Sequence, residues 1–559
     1  MPTRSPGCYA CRKRKIRCDE RRPGCQRCAT HGIPCPGYRG DGIEFRDLTD
    51  VTEKRAKGEF KRGGRESKRI GDDALQRQKL SHEREQGKLD RREAQVVDFD
   101  TSKSWTFLPD AFTPSSKALV KAQRNSGYNG HSRFSLAPLP FLSPGTERLA
   151  LYESFINCYL PRNTLRGVQE GHFSFFQTLA AQQSTHPALQ HGFDALSLVQ
   201  VGSTYHDTRL LQQGTRAYAL ALRALSASLA QRNFLEDDDI LATVVVLGQC
   251  ELYDAIQVQG QGWSNHVAGA NQLVAARGPE SLQSDLSLLL FANMRHSAMC
   301  HAFIERKAPF MARSEWRDVA WRVPLKKDQS TFFYDRAIRV PGLLERHDRL
   351  DLESEEALSE VNAILKESAE IELELRTWFA GWEAMGVEGF GGLCKLVPIT
   401  DFPTFLGLCN DDAFDMAFRF PDFLIGFLQT MYWIAMYCLR TNVQSLHKKR
   451  HQLQDDWYPD PADEVPEDEL LEYILNLCRS IPSFCEPANS STGSIGIFLP
   501  MRQAAQYFTA HGHWRLLRWI GCVRNNVFVK GLRPPDVDGK AMLISTPPRS
   551  CSRTSPPGG

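Results

Sequence analysis

Six cysteines near the start of the chain stand at a repeated spacing. Cys8, Cys11 and Cys18 recur 17 residues later as Cys25, Cys28 and Cys35, giving C-x2-C-x6-C-x6-C-x2-C-x6-C. The lead-in repeats as well, as Pro6-Gly7-Cys8 and Pro23-Gly24-Cys25. A C-x-x-C step places two sulfurs on one helical turn, and thiolates are soft ligands suited to tetrahedral zinc. One zinc takes four ligands, so six cysteines hold two zincs only if two sulfurs bridge both ions. His31 occupies no ligand position and reads as a solvated side chain. Three disulfides are the rival chemistry, but they require an oxidising compartment. Residues 1–7 contain no apolar run, so no secretory signal is expected and metal is the favoured reading.

The second chemical feature lies between the second and third cysteines. Arg12, Lys13, Arg14, Lys15 and Arg17 are five cations in six positions. Two Zn2+ and six thiolates sum to −2, so these cations cannot all serve the cluster and most must face outward. Residues 1–40 carry ten Lys/Arg against Asp19 and Glu20. That density marks a polyanion binder, with phosphate contacts giving salt-dependent affinity and Arg or Lys able to reach guanine O6 and N7. The second half-repeat, Ala29-Thr30-His31-Gly32-Ile33-Pro34, has no Lys or Arg. It completes the metal site and is expected to read little sequence. A solvated charged face or a nuclear-import signal is the plainer reading of the basic run.

The segment resembles the fungal binuclear zinc-cluster (Zn2Cys6) DNA-binding domain. The likeness rests on all six cysteines, the basic run, Asp19 after the third cysteine and Pro23 in the central loop. It implies two Zn2+ held by Cys8, Cys11, Cys18, Cys25, Cys28 and Cys35, with Cys8 and Cys25 bridging. It further implies a helix placed in the major groove of double-stranded DNA that reads CGG triplets. Arg14 and Lys15 are the candidates for base contact, with Arg12, Lys13 and Arg17 on phosphate.

These features need a scaffold, and the totals say how much is present. The 559 residues carry a net charge of +2, which allows roughly two to four domains. Residues 1–40 carry +8 and residues 41–100 balance fifteen Lys/Arg with fifteen Asp/Glu. The body is therefore mildly acidic, and nucleic acid is expected to meet only the head. Ten further cysteines, from Cys158 to Cys551, are scattered without a C-x-x-C and read as thiols of a reducing compartment.

The expected architecture is mainly α: a small cluster domain at 1–40, a charged and largely disordered linker at 41–137, an all-helical domain at 138–533 and a disordered tail at 534–559. The basic stretch 54–69 fits nuclear import or non-specific DNA attraction as well as a solvated linker. Leu75, Leu89 and Val96 stand at heptad spacing, but His82 fills the missing step and Gly87 interrupts. This is a weak zipper, and it leaves monomer and homodimer both open.

From Pro138 apolar residues recur at helical spacing. The pattern predicts a helix that starts at Ser143-Pro144-Gly145-Thr146-Glu147 and runs on through Tyr159, and others near 170–182, 187–203, 207–231, 237–257, 264–276, 283–303, 354–384, 412–448, 467–481 and 499–524. Asp237-Asp238-Asp239 opens one of them on its positive dipole end. The element Trp263-x-x-His266-x-x-Gly269-Ala270 and the run Leu149 to Phe155 resemble the fungal-specific regulatory domain that accompanies zinc clusters. Trp263, His266 and Gly269 read as packing residues. Phe423–Leu439 is too short for a membrane span and reads as a buried core helix. Asp455–Glu472 holds nine acids and fits an exposed loop leading into an acidic helical turn, or else an activation segment. Phosphate-loop, H-E-x-x-H and G-x-S-x-G motifs are absent from the sequence, and no enzymatic activity is expected.

The reading is a nuclear, zinc-dependent RNA polymerase II transcription factor, probing CGG-type sites and serving a metabolic or secondary-metabolite gene set, with coactivators or corepressors as partners and no membrane. The alternative is a zinc-bearing nuclear scaffold with non-specific nucleic-acid binding.

Overall fold

In the computed structural model the described residues of the head are Ala10, Cys11, Arg14, Ile16, Cys18, Asp19, residues 25–31 and Cys35. Those of the body are 144–162, 174–182, 184–231, 233–256, 261–321, 329–409, 411–454, 458–459, 464–527 and 531–533, followed by 536–537 and 540–541. The expected linker 41–137 and its heptad positions lie outside them.

Among the described residues of the head, α1 spans Gln26–Thr30, and Ala10 and Cys11 are also helical. The body is built from helices whose starts and stops follow local chemistry. α2 (Pro144–Tyr159), α3 (Ser174–Gln182), α4 (Pro187–Tyr205) and α5 (Thr208–Leu229) come first. Asp207 caps α5 by accepting from Arg209 N–H at 2.8 Å, satisfying donors with no intrahelical partner. α4 and α5 pack closely because glycines face the contact. A Cβ at Gly214 would lie 2.6 Å from Val199 Cγ1, and one at Gly202 would lie 3.0 Å from the Leu211 backbone nitrogen.

α6 (Asp238–Cys250) starts at the acidic triplet, with Asp237 accepting from Asp239 N–H at 2.9 Å. Nearly its whole circumference is buried, as expected of a central core helix. The pattern predicts helix to residue 257, but α6 ends at Cys250. There the chain turns to meet 531–533 instead: Asp254 N–H donates to Gly531 C=O at 2.7 Å and Arg533 N–H to Leu252 C=O at 2.8 Å. A long-range backbone pairing thus replaces the last helical turn. α7 (Gly262–Arg277), α8 (Asp285–Glu305) and the single turn α9 (Ser314–Arg317) follow.

α10 (Gln329–Ala337) and α11 (Val340–Asp348) were not expected from the sequence. α12 (Ala357–Met385) leads into a turn where Gly389 and Gly391 adopt φ of 76° and 79°, the left-handed region that favours glycine. A small antiparallel sheet then pairs β1 (Lys395–Pro398) with β2 (Met416–Arg419), in the register Lys395↔Arg419 to Pro398↔Met416. α13 (Pro403–Leu408) lies between the two strands. The expected helix at 412–448 therefore begins only at Phe423, as α14 (Phe423–Leu453), capped by Asp422, which accepts from Ile425 N–H at 2.8 Å. Pro421 disfavours helical geometry at the residue before it, which separates strand from helix.

α14 buries most of Phe423–Leu439, in line with the core-helix reading. No described helix is long and apolar enough to cross a membrane. α15 (Glu467–Phe484) opens with Glu467, Asp468 and Glu469 in its first turn, and Leu470 is buried. This favours the acidic-turn reading of that stretch. α16 (Ser490–Gly496) follows. The single helix expected at 499–524 is two, α17 (Phe498–Ala510) and α18 (Trp514–Val527), separated at Gly512 with φ 72°. In the tail, Asp536–Val537 pairs antiparallel with Lys540–Ala541.

Candidate metal centre and nucleic-acid interface

The described part of the head is organised by sulfur. Cys11, Cys25 and Cys28 are each 1% exposed, and their sulfurs lie within 4.8 Å of one another. Half-buried Cys18 and Cys35 pack against them. The Cys11 and Cys25 sulfurs are 3.7 Å apart. That is well beyond the ~2.05 Å of a disulfide. It is close to the ~3.8 Å edge of a tetrahedron with 2.3 Å zinc–sulfur bonds. Cys18, Asp19 and Cys25 form a second group within the same limit, so Cys25 belongs to both groups.

Local structure explains how these sulfurs converge. Cys25 is the N-cap of α1, in extended geometry, and its sulfur accepts from Cys28 N–H at 3.3 Å. The Asp19 carboxylate accepts from the next two α1 donors, Gln26 N–H at 3.0 Å and Arg27 N–H at 3.1 Å. Asp19 therefore ties the first half-repeat to the helix of the second. Its position directly after the third cysteine was the visible signal, but the capping role emerges only from the fold. The donor set fits zinc: soft sulfurs, closely spaced and shielded from water.

On the first half-repeat Ala10 and Cys11 are helical. Arg14 N–H donates to Ala10 C=O and Ile16 N–H to Cys11 C=O, both at 3.0 Å. The helical winding thus enters the basic run, and Arg14 is exposed. Cys8, Arg12, Lys13, Lys15 and Arg17 lie outside the described residues.

In the body, Trp263-x-x-His266 does packing work of a definite kind. Tyr218 O–H donates to Glu251 Oε1 at 2.5 Å, and the same oxygen lies 3.1 Å from His266 Nε2. Tyr218 has one proton and gives it to Glu251, so the histidine contact is an Nε2–H donating to Tyr218. Gly262 is required beside this lock, because a Cβ there would lie 2.0 Å from the Glu251 carboxyl carbon. A Cβ at Gly248 would come within 3.2 Å of the His266 Cβ, which sets the close approach of α6 and α7. Burial pushes the His266 imidazole down to about 4.

This makes a testable pH dependence. A histidine whose folded pKa lies below its unfolded value of about 6.5 contributes stability above that pH, and the contribution is lost as pH falls toward 4. Because the His266 ring is not wholly enclosed, the expected loss is about 2 kcal/mol rather than the full linkage of ~3 kcal/mol. Urea unfolding at pH 7 and 4.5 should show wild type losing that much more than His266→Gln. Parallel profiles would refute it.

Comparison with known proteins places both regions. Residues 6–41 match the model of the fungal Zn(2)-Cys(6) binuclear cluster domain. Residues 151–335 match that of the fungal specific transcription factor domain. Both models describe domains of fungal transcription factors, one a zinc-containing DNA-binding cluster and one a regulatory segment, and neither family is one of enzymes. The binuclear cluster binds two zinc ions. Over 181 residues, 31% of its length, the chain is 25% identical to an uncharacterized protein of Emericella nidulans, and the match covers 38% of that relative's length. No solved structure matches the chain.

Proposed function

We propose that this protein is a nuclear, sequence-specific regulator of RNA polymerase II transcription that reads CGG-type triplets through the basic helix after Cys11. The observation that carries the reading is an exposed Arg14 one helical turn beyond a buried group of three sulfurs. All six cysteines hold the two zincs, with Cys8 and Cys25 bridging; the membership of Cys25 in both ligand groups supports its part. The metal rigidifies the turn, and Arg14 and Lys15 read base edges while Arg12, Lys13 and Arg17 grip phosphate. Residues 1–40 form the reader, 41–137 a charged linker, 138–533 the regulatory body and 534–559 a tail. The targets are a metabolic or secondary-metabolite gene set, and coactivators or corepressors dock on the body.

Selection of sites from random duplex DNA tests this. The expected result is an enriched CGG motif, one triplet for a monomer or two for a homodimer. Lys15→Ala or Arg14→Ala should cost about 1–3 kcal/mol on that motif and relax base preference. Arg12→Ala should weaken all duplexes alike and lower the salt slope by about 1. No enriched motif, with RNA and random duplex bound equally, would favour a non-specific scaffold instead.

A further inference from the structure

The body contains a half-open pocket of about 110 Å3 whose walls are mostly apolar. Six aromatic side chains face it: Tyr159, Phe176, Trp263, Phe423, Phe427 and Phe498. They meet one another both edge-on and stacked. Tyr159 meets Phe176 edge-on at 5.1 Å between centroids, and Phe423 lies along Phe427 at 5.5 Å. His296 stands edge-on to Phe427 at 4.7 Å. The described lining contains no Lys, Arg, Asp or Glu. The one thiol in the wall, Cys300, is pushed up to about 12 by burial, so it is neutral at ordinary pH. Hydrogen-bonding capacity comes from uncharged groups, among them Gln249, Asn293 and Ser297.

Protein interiors are close-packed and rarely keep voids larger than a water molecule. An apolar cavity of about 150 Å3 stays dry and accepts benzene. Aromatic walls favour an aromatic guest through edge and face contacts, and a few polar groups fix its orientation. A charged guest would lose its hydration with no counter-charge to meet it.

We propose that this pocket is a binding site for one small, uncharged aromatic molecule of single-ring size. Its walls come from α2, α3, α6, α7 and α8, with lining residues inside the matched regulatory segment, and from α14, α16 and α17 beyond it. An occupant therefore touches both halves of the body and is placed to act as an effector. The inference concerns the body alone and stands apart from how the head reads DNA.

Calorimetry on the full-length, zinc-loaded protein tests it, with benzyl alcohol as ligand and benzoate as its charged counterpart of equal size. The expected result is saturable binding of one benzyl alcohol per chain, with benzoate at least tenfold weaker. Gly496→Leu should weaken benzyl alcohol at least tenfold. A Cβ at Gly496 lies 3.4 Å from Phe427 Cδ2 and 3.6 Å from Phe423 Cζ, so the longer side chain fills the space between the rings. Ser297→Leu fills it from the α8 wall and should do the same, with circular dichroism checking that each variant keeps wild-type helicity. Absence of saturable binding in wild type overturns the proposal without reference to either variant. So does equal affinity for benzoate, or undiminished binding in a filled variant of wild-type helicity.

Discussion

Stripping zinc from the full-length protein is expected to abolish duplex binding, by at least a thousandfold, while leaving most of its helical signal in place. Among its described residues little else holds the head together. Its buried described residues are Cys11, Cys25 and Cys28, and a module this small cannot bury an adequate apolar core. Structural zinc brings an apparent ~10–16 kcal/mol, which becomes folding energy. The body has its own apolar core, with Leu196, Val244, Leu290, Ile434 and Trp519 fully enclosed, and does not depend on metal. The measurement is a gel shift with chelator and then with restored zinc, beside zinc content and far-ultraviolet circular dichroism. Two zincs per chain and reversible loss of binding are expected. Cys28→Ser should behave like the stripped protein. Duplex binding that survives complete chelation would refute the metal-dependent head.

Arg440→Ala is expected to destabilise the body by about 1–3 kcal/mol, the usual cost of removing one partner of buried polar groups, because Arg376 still pairs with Glu372 and Glu469. Arg440 is 8% exposed. Its guanidinium donates to Glu469 Oε2 at 2.9 Å, Glu372 Oε2 at 3.1 Å and the Glu464 carbonyl at 3.2 Å. Arg376 bridges the same two carboxylates at 2.7 and 2.9 Å. The group ties α12, α14 and α15 together. Replacing both partners, as Arg440→Leu with Glu469→Leu, should cost less, since Arg376 then serves Glu372 alone and the remaining pair is balanced in charge. Burial alone would raise the Glu469 carboxyl, but Arg440 and then Arg376 outweigh it and hold the group below its ordinary value. Its contribution is therefore present above the unfolded carboxylate pKa of about 4.3 and is lost as pH falls through the lower folded value. Urea unfolding checks both points. A single variant no worse than the double would refute the account.

Much of the candidate site was legible because its chemistry is written at short range. Cysteine spacing, a cationic run and an aspartate after the third cysteine are all visible within the first forty residues. Helix starts were legible for the same reason: the Asp237 cap and the buried circumference of α6 are properties of consecutive residues. The errors fall where a distant partner overrode a local pattern. α6 stops early because residues 252–254 pair with 531–533. β1 and β2 are four residues each and gain their ladder only from each other, so neither shows the alternation that marks a strand. The break at Gly512 required a positive φ that an isolated glycine in an apolar pattern does not announce.

By itself, then, the sequence determined the ligand chemistry, the cationic run and the helical class, since periodicity and spacing act within one or two turns. Tertiary structure alone decided which groups meet. Tyr218, Glu251 and His266 form one hydrogen-bonded lock. Arg440 finds Glu372 and Glu469 from two other helices. Tyr159 and Phe498 share a pocket across 339 residues of chain. No local pattern encodes such pairings, because they follow from how amphipathic helices pack once all their faces compete for the same core.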